Sequence, residues 1–134
     1  MALKFGAQVN AWARKSERRL EAIFKESAQR VIEQAQTPRG AGGNMPVDTN
    51  FLRASGQASL TGWPSGPSRQ DESPGQFDYS ITIAGARIGQ TIYFGWTAEY
   101  ARYMEQRYSF MRSAAQNWGS IVNSVTREAQ VRFP

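Results

Sequence analysis

The chain has no cysteine and no histidine. Without cysteine there is no disulfide framework and no thiol nucleophile, and the two commonest zinc ligands are both missing. The usual general base of Ser-His and Cys-His catalysis is missing too. Acidic residues number only eleven, and they form no dense Asp/Glu cluster of the kind a magnesium or two-metal site needs. No apolar run approaches the roughly 18 residues that span a bilayer. Met1-Ala2-Leu3-Lys4 opens a mixed polar stretch rather than the apolar segment of a signal peptide. These absences argue against an enzyme, a bound cofactor or metal, and a membrane partner. The expected setting is a cytoplasm, or something larger assembled there.

What is present is one domain's worth of chain, 134 residues with 40% hydrophobic and 20% charged content, read here as a single domain over 1–134. The net charge of +5 is uneven. Residues 1–39 carry eight Lys/Arg against four Glu, residues 40–100 three Arg against five acids, and residues 101–134 five Arg against two Glu. Basic ends around a mildly acidic middle suit head-to-tail packing of subunits or a nearby polyanion; solvated helix faces are the plain alternative.

Residues 3–36 read as one long helix, because Val9, Trp12, Leu20, Ile23, Phe24, Ala28, Val31, Ile32 and Ala35 recur at three- and four-residue spacing. Thr37-Pro38 ends it. Such a helix would be about 50 Å long, so it either breaks near Gly6–Asn10 or projects toward another subunit. Residues 38–47 form a Gly/Pro-rich loop. Asp48-Thr49 looks like the cap of a short helix over 50–55, and Gln57–Thr61 is a possible strand. Residues 61–76 hold nine Gly, Pro or Ser in sixteen positions, a loop too long for a small domain unless it has a task. Trp63 lies in it, either folded back on its own domain or docked into a neighbour.

The aromatic stretch Thr91–Ala115 organises the rest. Phe77–Ala84 alternates as a strand would, and with Thr91–Trp96 it predicts a β-hairpin over 77–96. Thr97 then caps a helix over 98–106, and Ser109 caps a final helix to about Gln130. Phe94, Trp96, Phe110, Trp118 and Ile121 are the expected core. The fold class is therefore α+β: a small antiparallel sheet of about three strands against two long amphipathic helices, with long Gly/Pro-rich loops.

Three stretches carry a family resemblance. They are Asp48-Thr49-Asn50-Phe51-Leu52-Arg53-Ala54-Ser55; Tyr93-Phe94-Gly95 followed by Tyr100-Ala101-Arg102-Tyr103-Met104-Glu105; and Phe110-Met111-Arg112-Ser113-Ala114. In order and spacing the chain resembles the small neck and tail-completion (head-tail connector) proteins of long-tailed bacteriophages, the tail protein Z-like group. It departs from that pattern at Asn50, where Gly is usual, and at Gln106-Arg107, where an aromatic and Gly are usual. The resemblance implies a structural virion protein that forms a homo-oligomeric ring, sixfold or twelvefold, at the head-tail junction or tail end. Its implied neighbours are connector, stopper, tail terminator or tail-tube proteins, with genomic DNA passing non-specifically through the lumen. Its implied location is the phage particle, assembled in the host cytoplasm.

Arg53, Trp63, Arg69 and Arg112 are the candidate interface or lumen residues. Two other readings compete. A small basic nucleic-acid-binding protein fits the charge but shows no legible binding motif. A carboxylate glycosidase would need paired acids, yet Glu99 and Glu105 are six residues apart and leave one helix face. Glu105 is better read as a carboxylate that holds the helix joint to backbone amides or an Arg.

Overall fold

A computed structural model describes residues 2–47, 51–64 and 79–132. Among these the architecture is α+β, six α-helices and a two-stranded antiparallel sheet. Helix α1 spans Ala2–Ala35 without a break, about 51 Å at 1.5 Å per residue. Its apolar periodicity sustains it past Gly6, and the tight Thr37–Met45 loop ends it. There Met45 N–H donates to Thr37 O (3.1 Å) and Arg39 N–H to Met45 O (3.1 Å), which drives the Met45 side chain into full burial.

Helix α2 (Phe51–Ala54) follows and leads directly into strand β1 (Gly56–Ser59). Helix α3 is Tyr79–Ala84 and strand β2 is Tyr93–Trp96. Helices α4 (Ala101–Tyr108), α5 (Phe110–Gln116) and α6 (Trp118–Arg132) complete the chain.

The sheet corrects the expected hairpin. β2 pairs with β1, in the register Gly56↔Trp96 to Ser59↔Tyr93, and Tyr79–Ala84 is helical. The alternation of Tyr79, Ile81 and Ile83 is compatible with either period: Tyr79 and Ile83 are also one helical turn apart. Ile83 is buried and Tyr79 packs against the same cluster, while Ile81 is exposed. Among the described residues the sheet thus has two strands rather than about three. Thr97 does not cap a helix; it prolongs the ladder, its N–H donating to Ser55 O at 3.3 Å. The final helix divides at Asn117, and Trp118, placed in the expected core, is 41% exposed just after the break. The expected cap at Asp48-Thr49 lies outside the described residues.

Burial is split between two clusters. Met45, Phe51, Leu52, Ala98 and Phe110 form one; Ala28, Ile32 and Ile83 form the other, with Val31, Tyr79, Ile92 and Phe94 packed against it. α6 lies along the C-terminal half of α1 through Val125 and Ala129. There the Arg30 guanidinium grips both oxygens of Glu128, one at 3.2 Å, and this hydrogen bonding holds the Glu128 carboxyl below its usual range. Glu21 is shifted the same way, first by its hydrogen bond from Lys25.

The two halves of α1 differ. Ser27, Ala28, Ile32 and Ala35 are buried, whereas no residue from Gly6 to Glu26 is. Trp12 is 70% exposed and Leu20 55%, with Val9 exposed on the same stripe. Among the described residues no helix is long and apolar enough to cross a membrane.

Candidate functional site: an aromatic groove at the strand-helix joint

β2 alternates, so Phe94 and Trp96 share one face. Their rings meet edge to face at 5.1 Å. The series continues from Phe94 to Tyr79 (5.4 Å, 87°) and from Trp96 to Phe110 (4.8 Å, 82°). Such pairs add about 0.5–1.5 kcal/mol each beyond area burial. Because Phe94 packs on one cluster and Trp96 on the other, the series ties the two cores into one body.

Gln36, buried at the C-terminal end of α1, fixes the position of Trp96. Its Oε1 accepts the indole N–H at 2.7 Å, and its Nε2 donates to Arg53 O at 3.0 Å. Arg53 Nε returns a bond to Gln36 O at 2.9 Å. The strand must approach this amide closely: a Cβ on Gly56 would stand 2.7 Å from Gln36 Nε2 and 3.0 Å from Phe94.

The joint between α4 and α5 turns at Ser109, which adopts a left-handed backbone (φ 53°) and makes no side-chain cap. The cap comes instead from Glu105, whose two carboxylate oxygens accept the N–H groups of Met111 (2.8 Å) and Arg112 (3.0 Å). A carboxylate there also meets the positive end of the helix dipole. The expectation for Glu105 thus holds, with backbone amides as its partners.

These elements enclose an open groove of about 270 Å³. Phe94, Trp96 and Phe110 line it from the core side, and Gly95, Trp63, Ala101, Arg102, Glu105 and Met111 complete it. Trp63 stacks edge-on to Tyr93 (5.1 Å, 77°) yet remains 75% exposed. The lining has two charged residues, of opposite sign, and no arranged nucleophile and base. Among the described residues no group of three or more His, Cys, Asp or Glu could hold a metal ion.

Of the three candidate residues among those described, Trp63 alone lines the groove. Arg53 locks the end of α1, with the rest of its side chain at the surface. Arg112 is exposed on α5 and lends the joint its backbone N–H. Arg69 lies outside the described residues. Sequence reasoning missed Gln36 and Met45 as organising residues and Met111 as a groove residue. Periodicity sets Met111 alongside the stripe of the final helix but marks neither Gln36 nor Met45, whose positions depend on loop closure. Neither protein-family models, curated proteins nor solved structures give a match to this chain.

Proposed function

We propose that this chain is a structural subunit of a phage neck or tail end, forming a ring through whose lumen DNA passes. The observation that carries this reading is the convergence of the stretches that resemble the neck and tail-completion proteins. Phe51 and Leu52 from the first, Tyr100, Ala101 and Met104 from the second, and Phe110 from the third pack in one cluster. Glu105 of the second stretch caps the helix that the third one opens. Motif residues that build a common joint act as an architectural unit, which suits a scaffold presenting surfaces to neighbours. The bare apolar stripe on α1 and the exposed Trp63 provide such surfaces, since large exposed apolar groups rimmed by charge are features of interaction sites.

Electron microscopy of particles assembled without this protein tests the reading. Full heads without joined tails are expected. Normally joined particles, together with failure of the added protein to enter particles that lack it, would overturn the proposal.

A further inference from the structure

The described part of the molecule has two apolar surfaces of opposite shape. One is the convex stripe of Val9, Trp12 and Leu20 on α1. The other is the concave groove beside β2. Small-molecule sites run to about 300–1,000 Å³; at about 270 Å³ the groove is sized for one bulky side chain. Trp12 is such a side chain, and Trp is enriched among the residues that dominate interface energetics.

The two surfaces of one molecule cannot meet. Trp96 is hydrogen-bonded to Gln36, so the groove sits at the C-terminal end of α1. Trp12 lies 24 residues away along an unbroken helix, about 36 Å. Only another copy can bring a Trp12 stripe to the groove.

Charge favours the same arrangement over pairing of two α1 stripes. At helical spacing Glu17 borders the stripe on one side and Lys15 and Arg19 on the other, while Arg14 and Arg18 turn away from it. The groove carries Arg102 and Glu105, one charge of each sign. Two α1 helices packed antiparallel through their stripes would instead set the Lys15–Arg19 flank of one beside the same flank of the other.

We propose that the Trp12 stripe of one copy docks into the Trp63–Trp96–Met111 groove of a second copy, with Glu17 facing Arg102. This inference rests on the ring reading for its biological setting and specifies the contact that would build the ring. The two patches differ, so the contact is heterologous, and its repetition gives a closed ring if the rotation closes.

Light scattering and sedimentation of the full chain test it with two variants. Trp12→Glu alters an exposed helix position. Gly95→Leu fills the groove from a site where a Cβ meets nothing nearer than Pro64 Cδ at 4.0 Å. Met111→Glu, at an exposed position on the groove, replaces Gly95→Leu if circular dichroism shows that the sheet is disturbed.

The wild type is expected to form a concentration-dependent oligomer, and each variant alone to lose self-association at least tenfold. Mixed in equal amounts, the variants should form a one-to-one dimer and nothing larger, because one intact stripe and one intact groove remain. A wild type that stays monomeric overturns the inference, as does a variant that assembles normally alone or a mixture that stays monomeric. The ring reading is judged separately, by entry of the wild type into particles, so the two can fail independently.

Discussion

The two halves of α1 continue one amphipathic pattern into different surroundings. In the C-terminal half Ala28 and Ile32 are buried against Ile83, and Arg30 pairs with Glu128 across to α6. Ahead of that stretch the same spacing sets out Val9, Trp12 and Leu20 with their side chains exposed. Helical periodicity reports that a face is apolar, not which molecule covers it. A 34-residue helix whose buried residues Ser27, Ala28, Ile32 and Ala35 sit toward one end is a lever as well as a core element.

The sharpest way to break this comparison is a matched pair of truncations. Ile32→Ala should cost about 2–5 kcal/mol in urea denaturation, the range for a large side chain lost from a core. Leu20→Ala should stay within about 0.5 kcal/mol for the monomer. Equal costs would mean that both stretches of the stripe are packed within one molecule.

The loop that ends the packed half gives the next largest effect. A Cβ on Gly43 would stand 2.1 Å from the Thr37 carbonyl oxygen, so Gly43→Ala must displace the loop that seats Met45. Overpacking of this kind costs about 1–3 kcal/mol, read as a lower urea midpoint. An unchanged midpoint would show that the loop does not hold the helix end.

At the joint, Glu105→Ala removes the carboxylate from two helix-opening amides and should cost about 0.5–2 kcal/mol, as loss of an N-cap does. Nuclear magnetic resonance should show faster amide exchange at Met111 and Arg112, with the stripe on α1 unchanged.

The smallest effect is a pH dependence. Glu128 is held below its usual range by Arg30, so its contribution is present above the unfolded carboxylate pKa of about 4.3 and lost as pH falls through the lower folded value. Glu128→Gln should flatten that limb of a stability-pH curve slightly, since the pair is solvent-exposed and such pairs contribute little.

Long-period features were legible in the chain, and pairings distant in sequence were not. The 3.6-residue stripe of α1 and the break at Thr37-Pro38 stood out because both signals are local. Strand β2 is legible from its aromatic alternation, but the sequence points to the neighbouring Phe77–Ala84 as its partner, whereas it pairs with Gly56–Ser59. The β-branched residues Ile81, Thr82 and Ile83 favour a strand, and packing of Ile83 on α1 overrides that preference. Trp118 fell on a stripe drawn through Asn117, where the helix in fact turns. At the site, the aromatic joint and the capping role of Glu105 were both readable. The groove was not, because it exists only once Trp63, β2 and the start of α5 converge.

The placement of the four tryptophans has a spectroscopic consequence. Trp12, Trp63 and Trp118 are exposed, while Trp96 alone is partly covered and hydrogen-bonded through its indole. Most of the intrinsic fluorescence therefore arises from indoles already in water, and unfolding should shift the emission little. Covering Trp12 and Trp63 would shift it to the blue. The protein carries its own optical reporter, tuned to assembly more than to folding.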